Sequence, residues 1–162
     1  MSAVTNCIKD GYLGIKGNDW VKTLSELSQQ AKDQEEKITA EVNAQIEAGQ
    51  KSAEAFNPAL YTGSFSDKWF GDVIISLHNN KLWLASVRSP RLTGELLPYK
   101  GNTLIVKWKD RSFDADAFVK FNMDMDGKAT GMKMEAISPL TDFSYDFQDL
   151  DFTRNETESN NK

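Results

Sequence analysis

The sequence contains one cysteine, Cys7, and one histidine, His78, in 162 residues. A single cysteine excludes an internal disulfide and a cysteine-based metal site. No apolar run approaches the roughly 18 residues that a membrane-spanning helix needs. The first 14 residues have neither a basic stretch nor a long apolar core, so they are not expected to form a signal peptide. The chain is therefore predicted to be cytoplasmic if it is complete, or else the C-terminal piece of a longer precursor.

Clustered positive charge is also missing. The formal net charge is −5 and the isoelectric point is about 4.9. Binding to a nucleic-acid backbone requires clustered lysine and arginine, so nucleic acid is not an expected partner. The hydrophobic fraction of 40% is enough for one packed core. Length and composition together indicate one domain of ordinary size with an appendage.

The character of the chain changes at Asn57-Pro58. Before it, the pattern predicts a short helix over residues 3–13, ended by Gly11 and Gly14, and a long helix from Trp20 to about Gly49. Asn18 or Asp19 is the expected N-cap of the long helix. Its apolar positions, spaced mostly three or four apart, are Trp20, Leu24, Leu27, Ala31, Ile38, Val42 and Ile46.

This apolar stripe is narrow, so the helix is expected to lie along another surface rather than inside a core. Two interpretations stay open at this point. The stripe covers the domain that follows in the same molecule, or it docks on another domain or a second copy. Charges in the middle of the helix at Asp33, Glu35 and Glu36 argue against a long coiled coil.

After Pro58, hydrophobicity alternates with a period of two, which predicts short strands. The predicted strands are Leu60–Ser66, Gly71–Leu77, Lys81–Val87, Gly94–Tyr99, Thr103–Trp108, Ala117–Met123, Lys128–Ala136 and a last strand beginning near Asp142. In the last strand Phe143, Tyr145 and Phe147 have one parity, whereas Leu150 and Phe152 have the other. A bulge or break is therefore expected near Gln148-Asp149.

Eight short strands at even spacing predict a mainly β fold, an antiparallel up-and-down barrel preceded by a long α-helix. Closure would remove the exposed sheet edges. A barrel of eight strands is either just filled by side chains or holds one small ligand. The predicted organisation is a helical segment over residues 1–56, the barrel over 57–154 and a disordered polar tail over 155–162.

Several short motifs occur in order along the strands. They are Tyr61-Thr62-Gly63-Ser64-Phe65, Trp69-Phe70-Gly71-Asp72-Val73, Lys81-Leu82, Ser89-Pro90, Gly94-Glu95-Leu96 and Phe121-Asn122-Met123-Asp124 followed by Asp126-Gly127-Lys128. This series resembles the lipocalin-like domain at the C-terminus of serine hydrolases related to class C β-lactamases and penicillin-binding proteins. The resemblance covers residues 58–154.

Gly11-Tyr12-Leu13-Gly14 and Asp19-Trp20 are similar to the segment where such enzymes leave the catalytic domain. The resemblance implies that residues 3–14 are a remnant of that domain and that residues 19–49 are a linking helix. It also implies a lipocalin-like barrel and a periplasmic or cell-surface parent protein. It does not imply a catalytic role for the barrel itself.

The catalytic motifs of those hydrolases are Ser-x-x-Lys, Tyr-x-Asn and a strand with His/Lys-x-Gly. The one Ser-x-x-Lys spacing here is Ser159–Lys162 in the polar tail, and the one Lys-x-Gly spacing is Lys9–Gly11 in a predicted helix. No tyrosine is followed by x-Asn. We therefore expect no catalytic residue in this chain, and an enzyme in its own right is the least favoured hypothesis.

Two further features have simple structural interpretations. His78 lies in a His-Asn-Asn turn, where a solvated turn residue is far commoner than a general base. Asp124-Met125-Asp126-Gly127 is similar to the start of a calcium loop, with Glu135 at the twelfth position. Because Lys128 replaces a ligand and a strand pattern follows, an Asp-Gly hairpin turn is expected instead. No metal or cofactor is predicted.

The residues most suggestive of a binding surface are aromatic residues and arginines near predicted turns. Trp83 alternates with the aliphatic Leu82 and Leu84, so it points either outward or into a cavity. Packing in the core or against the helix is the commoner case for such aromatic residues, Trp108 included, and a pocket or interdomain contact is the alternative. The predicted ligand-binding or interdomain contact set, placed at one rim of the barrel, is Trp69, Phe70, Trp83, Arg88 and Arg91. The arginines would meet an anionic group there, although solvated arginines are the commoner case.

Two functional hypotheses follow. In the first, the chain is a non-catalytic accessory domain that packs against the catalytic domain of its own parent chain and shapes substrate access or assembly. In the second, it is a stand-alone protein that binds a small apolar ligand inside the barrel. Self-association through the N-terminal helix is a further expected possibility, whereas membrane insertion is not expected.

Overall fold

The computed structural model describes residues 2–51, 56–113, 115–138, 141 and 147–156. The chain forms two compact units, Met1–Lys37 and Ile38–Lys162. The boundary between them falls inside the second of the two α-helices that the described residues form. Neither helix has an apolar stretch of the length that crossing a bilayer requires, as far as the described residues extend.

The first unit contains helix α1, Ala3–Leu13, and the start of helix α2, Trp20–Lys51. Both predicted helices are confirmed, but Gly11 lies within α1, and only Gly14, with a φ of 68°, caps its end. The carboxylate of Asp10 accepts hydrogen bonds from Asn18 Nδ2 at 2.9 Å and from Trp20 Nε1 at 2.6 Å. Asp10 therefore ties the end of α1 to the start of α2.

The N-cap of α2 is Asp19, whose Oδ1 accepts the Lys22 N–H at 2.9 Å. This selects Asp19 from the two predicted candidates. In the same unit Leu27 of the apolar stripe is 55% exposed and Tyr12 of α1 is 90% exposed, whereas Trp20, Leu24 and Ala31 are half-buried.

The second unit is the predicted barrel, which is confirmed. Its strands are β1 Gly63–Asp67, β2 Gly71–His78, β3 Lys81–Ser86, β4 Thr93–Lys100, β5 Thr103–Trp108, β6 Ala117–Met123, β7 Ala129–Ala136 and β8 Asp151–Arg154. Each strand pairs antiparallel with the next, and β8 pairs with β1 to close the barrel. The bounds of β5 and β6 are those predicted.

The prediction of the first strand was partly wrong. Residues Pro58–Tyr61 form a 3₁₀ helix, and β1 begins only at Gly63. The reason lies at Asn57, whose side chain accepts the Ala59 N–H at 3.1 Å, because an Asn cap followed by proline starts a helical turn.

The end of the barrel contains the predicted break. A 3₁₀ helix over Phe147–Asp149 precedes β8. Phe147 is therefore not part of the strand, and the inside–outside alternation that places Phe152 does not extend to it. The predicted strand start near Asp142, with Phe143 and Tyr145, lies outside the described residues, as does the Ser159–Lys162 spacing.

Asn155, predicted as the first residue of the polar tail, still pairs with the barrel. Its N–H donates to Ser64 O at 2.9 Å. Its side chain accepts from Ser66 Oγ at 2.6 Å and donates to Ser64 Oγ at 2.9 Å. Asn155 therefore extends the seam between β8 and β1 by one residue, since its amide can both donate to and accept from the neighbouring strand.

Arg154 of β8 stabilises the same seam through contacts with residues 62, 65 and 129. Its Nη1 donates to Thr62 O at 2.9 Å, its Nε donates to Ala129 O, and its guanidinium lies 4.8 Å from the ring centroid of Phe65. A Cβ on Gly63 would stand 2.2 Å from Nη1. The glycine of the Tyr-Thr-Gly motif therefore leaves the space that this arginine occupies.

The barrel interior is filled by side chains. Phe65, Ile75, Leu84, Val119 and Phe121 are each at most 2% exposed and belong to one continuous buried cluster. They occupy alternate positions of their strands, as the period-two pattern predicts. The aromatic rings meet edge to face, as aromatic pairs in cores commonly do.

The C-terminal half of α2 covers part of the outer wall of the barrel. Val42 and Ile46 are each 5% exposed and pack against Ile105 of β5. Lys107 Nζ donates to Asn43 Oδ1 at 2.8 Å beside this contact. For these two positions of the stripe, the intramolecular interpretation is the one that the structure supports.

The turns follow their sequences. Asn79 and Asn80 adopt positive φ values of 51° and 63° between β2 and β3. Between β6 and β7, Asp124 Oδ1 accepts the N–H groups of Asp126 and Lys128 at 2.9 Å and 2.8 Å. The Asp-Gly hairpin turn is thus confirmed.

Candidate functional site

One end of the barrel carries four of the five predicted contact residues. Because consecutive strands are antiparallel, the connections β1–β2, β3–β4, β5–β6 and β7–β8 all lie at this end. We call residues 67–71, 86–93, 108–113 and 115–116 the rim. Trp69 and Phe70 lie in its first segment, and Arg88 and Arg91 lie in its second.

The β1–β2 turn sends its two aromatic residues in opposite directions. Asp67 Oδ1 accepts the N–H groups of Trp69 and Phe70 at 2.7 Å and 2.9 Å. Phe70 then packs edge to face on Phe152, with ring centroids 5.6 Å apart. Trp69 points away and is 88% exposed. An exposed indole on a fixed turn is a typical contact residue, because its large apolar area is presented with little loss of freedom on binding.

Asp67 is held as a carboxylate by its surroundings. Burial raises its pKa, but hydrogen bonds from the N–H groups of Phe70, Asp151 and Trp69, together with the charge of Lys68, lower it below the usual value overall. The Asp151 N–H reaches Asp67 Oδ2 at 2.9 Å. One charged carboxylate therefore connects the β1–β2 turn to the start of β8.

Arg88 joins the first two segments of the rim. Its Nη1 donates to Trp69 O at 3.2 Å. Gly71, at a φ of 84°, lies directly beneath it, and a Cβ there would stand 2.6 Å from Arg88 Nε. The Val87 N–H donates to Asp72 O at 2.9 Å in the same junction. Arg88 thus stabilises the backbone of Trp69. The Trp-Phe-Gly-Asp motif has glycine at position 71 because a side chain there would collide with Arg88.

Arg91 joins the second and third segments. Its Nε and Nη2 donate to Asp110 Oδ2 at 3.0 Å and 2.6 Å, and its guanidinium lies 4.9 Å from the ring centroid of Phe113. The anionic partner predicted for this arginine is therefore a carboxylate of the same chain. Hydrogen bonds from the Ser112 hydroxyl, from Arg91 and from the Ser112 N–H lower the pKa of Asp110 to about 2.

Trp83 does not belong to the rim, so its placement there was wrong. It is the third residue of β3 and lies opposite Ser76 and Glu95 on the outer wall. Its neighbours Leu82 and Leu84 are buried inside the barrel. The strand period therefore turns the indole outward, where it is half-buried, and not into a cavity.

The sequence interpretation missed the third segment of the rim. Trp108 is buried in the core and donates from Nε1 to Ala115 O at 2.7 Å. Arg111 Nη1 donates to Asp116 Oδ1 at 2.8 Å. The signal was present as a run of alternating charges around Asp110, but such a run is equally typical of a solvated turn. The pairing shows that these charges organise the loop.

The polar groups named above fix the loops of the rim, and Trp69 is a large apolar side chain exposed at its surface. No cluster of three or more metal-ligating side chains is found among the described residues. His78 ends β2, faces solvent and lies opposite Lys81. Lys9 and Gly11 of the Lys-x-Gly spacing lie in α1 rather than in a strand. The arrangement is suited to binding.

Comparison with known proteins gives one family. The family described as a domain of unknown function (DUF3471) matches residues 48–154. No curated protein and no solved structure matches the chain. The matched range runs from the last residues of α2 through all eight strands to Arg154, and the chain belongs to the DUF3471 family.

Proposed function

We propose that this chain is the non-catalytic accessory domain of a serine hydrolase related to class C β-lactamases and penicillin-binding proteins. The rim, with Trp69 at its surface, contacts the catalytic domain and shapes access to the active site or assembly of the enzyme. On this proposal the parent protein is periplasmic or on the cell surface, and the chemistry belongs to its Ser-x-x-Lys domain.

The observation that carries the proposal is the filled interior. Side chains such as Phe65, Val119 and Phe121 are at most 1% exposed inside the barrel. A barrel whose interior positions are occupied by its own side chains has its outer surfaces left for function. Among these surfaces, the rim presents a large exposed aromatic residue on a turn fixed by Asp67 and Arg88.

Two further observations support the hydrolase connection. The ordered motifs that resemble the C-terminal domain of such hydrolases span residues 58–154, and the DUF3471 match spans nearly the same range. The glycines of two motifs have specific roles here, since Gly63 and Gly71 leave room for Arg154 and Arg88. The motifs therefore follow from the architecture of this barrel.

The first test is the coding sequence upstream of Met1. A continuous reading frame that encodes a Ser-x-x-Lys domain is the expected result. A stop codon directly upstream, with no hydrolase gene beside it, contradicts the proposal.

The second test compares matched variants in the whole enzyme. Trp69→Ala is expected to change kcat/KM by about tenfold, as expected for loss of a central aromatic contact. Met125→Ala is the control, because Met125 is fully exposed in the β6–β7 turn at the opposite end of the barrel. Equal kcat/KM for both variants and the wild type would remove the rim from the proposal.

The alternative, a stand-alone carrier of a small apolar ligand, has a separate test. If the chain is a carrier, an added apolar probe should quench the tryptophan fluorescence of the chain and raise its melting temperature. The buried Trp108 lies in the interior cluster and would report such a ligand. Saturable changes of both quantities would favour the carrier, and their absence agrees with the filled interior.

A further inference from the structure

A groove on the outer wall of the barrel combines an aromatic surface with two lysines. It has a volume of about 450 Å³ and is lined by Tyr99, Thr103, Phe118, Lys120, Lys133 and Glu135, among others. We call it the lysine groove. Its volume is within the range of small-molecule sites, which is about 300–1,000 Å³.

The register of the sheet places three donors in a row. Thr103 lies opposite Lys120 on the neighbouring strand, and Lys120 lies opposite Lys133 on the next. Adjacent strands are about 4.8 Å apart, so the hydroxyl and the two lysine side chains start within about 10 Å of one another. Like charges directly opposite each other are unfavourable in a sheet, and an anion between them would remove that cost.

Two carboxylates lie beside this row: Glu135 lines the same groove, and Asp151 of β8 lies opposite Lys133. Lys120 forms no ion pair with the described residues. Lys133 Nζ lies 3.8 Å from Asp151 Oδ2, and both side chains are more than 60% exposed. An exposed ion pair at that distance contributes little, so Lys133 stays available to a stronger anionic partner.

The aromatic side chains of the groove are held in place by the buried residues beneath them. The rings of Tyr99 and Phe118 have centroids 5.1 Å apart. Both rings pack against the cluster of Val42, Ile46 and Ile105, through which α2 covers the barrel. The groove therefore has a preformed apolar surface, and binding there does not require these rings to be ordered first.

From this geometry we propose that the lysine groove binds a small aromatic carboxylate. The ring of the ligand stacks on Tyr99 and Phe118, and its carboxylate lies between Lys120 and Lys133. Glu135, opposite Phe118 in the register, disfavours a second negative charge at that edge. This site is on the outer wall, not on the rim, and does not depend on the function proposed for the rim.

The probe for this proposal is 3-phenylpropanoate, and its matched control is the neutral 3-phenylpropanamide. Titration of the full 162-residue chain, followed by two-dimensional amide NMR, is expected to give saturable shifts centred on the lysine groove. The expected Kd is on the order of 1 mM for a ligand of this size and exposure. The neutral amide is expected to bind at least about threefold more weakly.

Variants give the sharper comparison. Lys120→Gln and Lys133→Gln are each expected to raise the Kd of the carboxylate about two- to fivefold, whereas Glu135→Gln is expected to lower it. Lys109→Gln changes the net charge equally but lies at the rim, so it should leave the Kd unchanged. Melting temperatures establish that each variant is folded.

Three results would overturn the proposal. They are equal affinity for the carboxylate and its neutral amide, a Lys109→Gln effect as large as that of Lys120→Gln, and shifts that do not centre on the groove. The first comparison uses only the wild-type chain, so it decides the matter even if a variant does not fold.

Discussion

The contact between Gly63 and Arg154 makes a stability prediction that the structure specifies in detail. In Gly63→Ala the new Cβ would stand 2.2 Å from Arg154 Nη1 and 2.9 Å from Cζ. The guanidinium is the far end of a flexible side chain, so it can withdraw. Withdrawal breaks its hydrogen bonds to Thr62 O and Ala129 O and removes it from the ring of Phe65.

The magnitude follows from those lost contacts. A hydrogen bond to a charged group contributes about 1.5–3 kcal/mol, and a cation–π contact contributes about 0.5–1 kcal/mol. Two effects reduce the sum. Arg154 is partly exposed, and its Nη2 is buried without a hydrogen-bond partner among the described residues. We therefore expect the loss of these contacts in Gly63→Ala to lower the free energy of unfolding by about 2–4 kcal/mol, in addition to the backbone penalty of alanine at a φ of 153°.

A double-mutant cycle separates the contact from the backbone. Arg154→Met keeps the apolar stem of the side chain but is too short to reach the new Cβ, so in that background Gly63→Ala should cost only its backbone penalty. The expected coupling energy is at least about 1.5 kcal/mol. The measurement is urea unfolding followed by intrinsic fluorescence, with linear extrapolation.

Gly101→Ala is a control for alanine at a positive φ without a side-chain contact, although its φ differs from the 153° of Gly63. Gly101 has a φ of 56°, and apart from its chain neighbours no atom lies within 4 Å of the point where a Cβ would stand. Its substitution should cost about 1 kcal/mol, which is the penalty of the left-handed conformation alone. Strict additivity of Gly63→Ala and Arg154→Met, with no coupling energy, would refute the assignment of Gly63 to this contact.

Three further predictions concern other parts of the chain. Ile46→Ala, at a position of α2 that faces the barrel and is 5% exposed, should lower the free energy of unfolding by about 2–3 kcal/mol in urea, whereas Leu27→Ala, at 55% exposure, should change it by less than about 1 kcal/mol. Asp67 has a lowered folded-state pKa, so its contribution to stability is present at neutral pH and is lost as the pH falls through that pKa; the melting temperatures of wild type and Asp67→Asn should therefore converge in acid. The pKa of Asp110, about 2, should rise towards 3.8 in Ser112→Ala when followed by NMR, because the Ser112 hydroxyl makes the largest contribution to its lowering.

Most of the barrel could be predicted because strand periodicity is a local property. In β2, Val73 and Ile75 alternate with polar or exposed positions, and this alternation alone places them inside. The same alternation left two directions open for Trp83, outward or into a cavity, and the structure shows the outward one. It could not fix where along the wall Trp83 lies, since the distance from a strand position to the rim depends on the stagger of all the strands.

The segments that were predicted less well have structures set by single polar contacts. Pro58–Tyr61 looks like the start of a strand by hydrophobicity, but the Asn57 cap turns it into a 3₁₀ helix. Asn155 looks like the start of a tail, but its amide pairs with β1 across the closing seam. The Asn57 cap is a local signal that the hydrophobic pattern outweighed. Asn155 and Ser64 are 91 residues apart and cannot be paired from one sequence, because neither carries a local mark of the other.

The two proposed sites depend on different physical features, so their tests are independent. The rim depends on Trp69 and on loops fixed by Asp67 and Arg88, and loss of the indole removes an apolar contact without altering the outer wall. The lysine groove depends on the register of β6 with β7, which places Lys120 opposite Lys133 wherever the barrel is closed. Carboxylate binding should therefore persist in Trp69→Ala and should weaken with salt, because screening acts on exposed charges. Loss of carboxylate binding in Trp69→Ala would mean that the two surfaces are coupled, which neither proposal allows.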